Sequence, residues 1–140
     1  YIPSPCMARM NMGLFISNMQ NRFCHPDGEQ YNGSDGIIPF VNRFIHDAVE
    51  EEYTLLYGID TVGTKSYAWS GRIHDDIAGD IEHVFSSSDA VASFCDENDI
   101  NTVVAVGNFT GGKQHLPAIQ DAHRPEHAWT VVQDMTETFK

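Results

Sequence analysis

Two stretches of this chain carry side chains that could do chemistry. The first is Asn18–Gly28, NMQNRFCHPDG, where amides, an arginine, a thiol, a histidine and an aspartate follow a short apolar run. Leu14, Phe15 and Ile16 make that run, and its length suits a strand buried on both faces. His25-Pro26-Asp27-Gly28 is turn chemistry. In open α/β sheets function sits just past the carboxyl ends of strands, so Asn18 is where a functional side chain is expected. The second stretch is Gly107–Gln114, GNFTGGKQ, directly after the apolar run INTVVAV. Gly111 and Gly112 beside Lys113 suit either an anion-binding nest for a small carboxylate or a plain tight turn.

Other reactive types are scattered. Cys6, Cys24 and Cys95 are odd in number and lack metal spacing, which favours free thiols in a reducing compartment. The seven histidines fall singly along the chain, so no metal site is expected and no cofactor is implied.

The elements that must position these residues alternate. Gly13–Met19 reads as the first strand. Ile38–Glu52 reads as a helix whose apolar face is Val41, Phe44, Ile45, Ala48 and Val49, capped by Ser34 or Asp35. Tyr53–Gly58 is a second strand and 60–71 a loop. Ser88–Asn98 is a second amphipathic helix with Ser87 or Ser88 as cap and Val91, Phe94 and Cys95 on one side. Ile100–Val106 is a buried strand, Leu116–His123 a short helix, and Trp129–Gln133 the last strand. Alternating strands and helices predict a three-layer α/β/α sandwich on a mostly parallel sheet of about five or six strands. Residues 1–12, with Pro3 and Pro5, read as an N-terminal arm, and 13–140 as one α/β domain.

The two chemical stretches resemble the isochorismatase-like cysteine hydrolases, which include isochorismatases, nicotinamidases and N-carbamoyl amidases. That family shows an apolar run, then Asp-Met-Gln-Asn-Asp-Phe, often followed by Cys, Pro and Gly. Asn18, Met19, Gln20, Asn21, Arg22, Phe23 and Cys24 align with it and depart from it at two positions, Arg22 and Asn18, the second being where the catalytic aspartate falls. After the fourth strand the family has Gly-x-x-Thr, two residues, and the nucleophilic cysteine. Gly107, Asn108, Phe109 and Thr110 match the lead-in, and the cysteine position falls on Lys113, or on Gly112 in the neighbouring register. Ala78-Gly79-Asp80 resembles the turn before the lysine strand, yet Glu82–Phe85 holds no lysine. The Asp-x-His metal set of nicotinamidases is not matched by Asp60-Thr61-Val62. Against the family pattern the chain looks shortened in the middle and at the C-terminus.

Thiol hydrolysis in that family needs a general base, a cation and a nucleophile. All three positions are changed here, and loss of members of such a unit removes most of the chemistry. The expectation is therefore a catalytically degenerate member with a structural, assembly or binding role, including a subunit of a larger or viral assembly, and leaning against enzymatic activity. The alternative is an isochorismatase-type or amidase-type hydrolase acting without the Asp-Lys-Cys triad. Any ligand would meet Asn18, Phe23, Asn108, Thr110, Gly111, Gly112 and Lys113. The net charge of −12, with only 8 Lys and Arg, argues against a nucleic-acid partner. No apolar run is long enough for a bilayer, so a cytoplasmic protein, or part of a particle assembled there, is expected to form homo-oligomers or join a protein assembly.

Overall fold

The computed structural model describes residues 11–59, 68–107 and 128–134. Five strands form one sheet in the order β3-β2-β1-β4-β5. They are β1 Asn11–Ser17, β2 Thr54–Gly58, β3 Val84–Phe85, β4 Ile100–Gly107 and β5 Ala128–Asp134. Every pairing is parallel. β1 is central, with Gly13–Ser17 beside Thr54–Gly58 on one side and Met12–Ser17 beside Thr102–Gly107 on the other.

The alternation along β1 builds two cores. Leu14 and Ile16 point to one face, where they join Val41, Ile45 and Ala48 of helix α2, Ile38–Glu50. Phe15 points to the other, where it joins Leu56, Val103 and Ala105 with Val91 and Cys95 of helix α4, Ser88–Glu97. A central strand buried on both faces must be apolar at consecutive positions, as Leu14-Phe15-Ile16 is. The three-layer sandwich expected from the sequence is thus present, with α2 on one face and α4 on the other among the described residues.

Several boundaries differ from expectation. β1 begins at Asn11, inside the stretch read as an arm, because pairing with β4 extends it backwards. Ser34 and Asp35 do not cap α2: they lie in a 3₁₀ turn, Ser34–Ile37, that runs straight into it. The Asp35 carboxylate instead accepts a hydrogen bond from the Tyr31 hydroxyl at 2.8 Å. Val49, expected on the apolar face of α2, is instead 55% exposed, while its neighbour Ala48 is buried in the core. Ser87 does cap α4, its hydroxyl accepting from the Ala90 amide at 3.2 Å. Two short helices complete the described chain, α1 Asn21–Cys24 and α3 Ala68–Gly71, the second at the end of the stretch read as loop. The expected helix Leu116–His123 lies outside the described residues.

The crossover from β1 to β2 carries α2 on one face, and that from β3 to β4 carries α4 on the other. The chain therefore reverses direction across the sheet between β1 and β4. In such sheets the crevice outside the carboxyl ends at this switch point is where ligands bind.

Candidate functional site

Ser17, Asn18 and Gly107 meet at the switch point. Gly107 ends β4 with a φ of +118°, and a Cβ there would lie 2.7 Å from the Ser17 carbonyl oxygen. Only glycine lets the two strand ends approach so closely. Asn18 follows β1 in the left-handed region, φ 52°, a conformation asparagine tolerates better than most residues. Its amide donates to the Gly58 carbonyl at 2.9 Å, which ties the end of β1 to the end of β2.

The Asn18 side chain is wholly buried, and among the described residues neither its Oδ1 nor its Nδ2 has a hydrogen-bond partner. The Ser17 hydroxyl beside it is buried and likewise without a partner among the described residues. Buried polar groups are paired in the great majority of cases, and leaving one unpaired costs about 1–3 kcal/mol. A primary amide offers two donors and an acceptor, so this one is equipped to bind. It cannot take a proton as a carboxylate does.

The residues after Asn18 are structural clamps. Gln20 Nε2 donates to the Gly71 carbonyl and Asn21 Nδ2 to the Trp69 carbonyl, both at 2.9 Å. The Asn21 amide donates to the Arg72 carbonyl, and the His74 amide to the Met19 carbonyl, each at 2.8 Å. Segment 69–74 is thereby strapped onto segment 19–21. From the other side Asn42 of α2 donates to the Asp76 carbonyl and accepts from the Ala78 amide, each at 2.8 Å. The wall so held, with Ile59, Ile81 and Val84, lines an open cavity of about 390 Å³ beside the ends of β2 and β3. Sequence reasoning missed this wall. Its only signal is Ile73, Ile77 and Ile81 at every fourth position, a helical spacing adopted here by turns.

The other expected site residues fare differently. Phe23 is buried in the core with residues of α2, and the Arg22 guanidinium carbon lies 5.6 Å from its ring centroid. Arg22 is itself buried, its Nε 3.8 Å from a Glu29 carboxylate oxygen. Asn108, Thr110, Gly111, Gly112 and Lys113 lie outside the described residues. β3, Val84–Phe85, contains no lysine. Cys24 is fully buried, and burial, with the Asp35 carboxylate adding, pushes its thiol up to about 12. Burial likewise pushes Cys95 up to about 11, with Asp96 adding. Thiolate is the nucleophilic form, so neither cysteine is activated. Among the described residues no cluster of three or more His, Cys, Asp or Glu could hold a metal ion. No described helix is long and apolar enough to cross a membrane.

No protein-family model matches the chain. No curated protein matches it by sequence either. Solved structures do match. A cysteine hydrolase from Pseudomonas syringae pv. phaseolicola superposes with a TM-score of 0.70 at 13% identity, over 91% of this chain and 72% of that one. N-carbamoylsarcosine amidase from Thermoplasma acidophilum gives 0.65 at 15% identity, over 93% and 90%. Pyrazinamidase of Pyrococcus horikoshii, solved with zinc, gives 0.62 at 16% identity, over 91% and 90%. The fold of this chain is that of the isochorismatase-like hydrolases.

Proposed function

We propose that this chain keeps the isochorismatase-like fold without thiol-hydrolase chemistry and acts as a binding or assembly component. One observation carries the proposal. The side chain at the end of β1, where the fold's catalytic carboxylate would stand, is a buried amide whose two polar atoms have no partner among the described residues. An amide there serves recognition and cannot serve as general base. The raised thiols of Cys24 and Cys95 and the absence of lysine from β3 support the same reading. A fold can persist while its site is replaced. The alternative, a hydrolase working without the triad, would need a base that Asn18 does not supply. Self-association belongs to the proposal, and light scattering on the purified chain reads it out.

The test is turnover of isochorismate, nicotinamide and N-carbamoylsarcosine, with Asn18→Asp beside the unmodified protein. Neither is expected to turn over any of the three, because one restored carboxylate does not rebuild a cooperative unit. Hydrolysis by the unmodified protein would overturn the proposal.

A further inference from the structure

The cavity beside β2 and β3 has a composition of its own. Its lining is aliphatic: Ile59, Ile73, Ile77, Ile81 and Val84. Three polar side chains, Arg72, His74 and Asp75, line it as well. Such a combination, an apolar body with a few placed polar groups, is what small-molecule sites present. Ile81 and Val84 remain 44% and 43% exposed, so the lining is open to an incoming molecule.

The polar groups decide what that molecule is. His74 Nδ1 accepts a hydrogen bond from the Asp76 amide at 3.1 Å. A ring nitrogen that accepts carries no proton, so the neutral ring holds its proton on Nε2. His74 is thus fixed as an N–H donor, and its side chain is only 13% exposed. Arg72 adds a guanidinium, which is always charged and offers donors only. Its one charged neighbour in the cavity lining is Asp75, 3.7 Å away in an exposed pair. Such pairs are weak, and a better placed anion can replace the partner.

We infer that this cavity binds a small aliphatic monocarboxylate, with His74 Nε2–H and the Arg72 guanidinium receiving the carboxylate and the isoleucine lining receiving a branched carbon body. Asp75 acts against the ligand, as an internal carboxylate that occupies Arg72 when the cavity is empty. A cation does not fit the cavity equally well, since both of its strongest polar groups are donors. The inference does not depend on whether the switch point is catalytically silent, because a hydrolase and a non-hydrolase could both carry it.

The probe is 3-methylbutanoate, with uncharged 3-methylbutanamide as control, at about 0.15 M ionic strength to screen the net charge of −12. Binding is followed by two-dimensional NMR of the whole chain. Saturation is expected on the order of millimolar ligand for so small a molecule, with shifts at Ile73, His74 and Ile81. Arg72→Gln should weaken binding about three- to tenfold. His74→Asn keeps an acceptor for the Asp76 amide but removes the Nε2 donor, and should weaken it by a similar factor. Asp75→Asn should strengthen it about two- to fivefold. A purely structural role for these side chains would not give changes of opposite sign. Absence of saturation, equal binding of the amide, shifts centred on Asn18, or an Asp75→Asn variant that binds more weakly would each overturn the inference.

Discussion

Cys24 and Cys95 tie a residue-level property to the stability of the whole chain. A thiol that ionises at 9.0 in an unfolded chain and at about 12 when buried lets the unfolded state lose its proton first. The contribution of Cys24 is therefore fully present below about pH 9 and is lost as pH rises towards 12. Cys95, raised to about 11, acts with the same sign over a narrower window. Tyr57 joins from 10.0 upward, raised to about 12 by burial first and by the Asp80 carboxylate second. Urea midpoints should hold level from pH 7 to about 9 and then fall. Replacing both cysteines with alanine should flatten the first part of that fall and leave the part due to Tyr57. Mapped thiol labelling at pH 8 should leave Cys24 and Cys95 unmodified until denaturant is added. A flat profile in the unmodified protein would mean that the two thiols are not buried as described.

At the scale of elements, the clamps around the switch point are more consequential than their sequence suggested. In the sequence Gln20 and Asn21 are amides that follow an apolar run and match the family motif. In the fold Gln20 is wholly buried and Asn21 nearly so, each holding a backbone carbonyl of segment 69–71. Gln20→Ala should cost about 1–3 kcal/mol, since it removes the buried donor that Nε2 supplies to the Gly71 carbonyl. Hydrogen exchange should quicken in segment 69–74 before it quickens in β1. Gly107→Ala is a harsher change. It forces a side chain into φ +118° and sets a Cβ against the Ser17 backbone. The cost is expected on the order of 3 kcal/mol, and a midpoint unchanged in urea would show that β1 and β4 can part at no cost. Neither role was legible from the letters. Strand Leu14-Phe15-Ile16 announced itself because burial on two faces leaves a local composition. A clamp is defined by a carbonyl some fifty residues away, and nothing local marks it. The capping of α2 failed for a related reason. Ser34 and Asp35 have the right chemistry, but Gly33, with φ +82°, starts a 3₁₀ turn one step too early.

For the molecule as a whole, the layered fold was readable because it depends on periodicity, and periodicity is local. The order of the strands was not readable from the sequence. Parallel neighbours such as β1 and β4 are almost ninety residues apart, and their pairing leaves no mark on either run. The site was half readable: Asn18 by its place at a strand end, the cavity not at all. Charge is the global property that remains. A net charge of −12 over 140 residues sets like charges against one another in the compact state. Glu50, Glu51 and Glu52 concentrate it at the exposed end of α2, where the helix dipole is also negative. Self-repulsion of this kind falls as salt screens it, with a screening length of about 30 Å at 0.01 M and about 3 Å at 1 M. The urea midpoint should therefore rise steadily between those two concentrations of sodium chloride, with the slope of the transition unchanged. Glu51→Gln with Glu52→Gln should raise it at 0.01 M and make little difference at 1 M. A midpoint that falls with salt would mean that attractive ion pairs outweigh the repulsion. That outcome is not expected, because the pairs Arg22–Glu29 and Arg72–Asp75 are long, at 3.8 and 3.7 Å, and each has an exposed carboxylate partner.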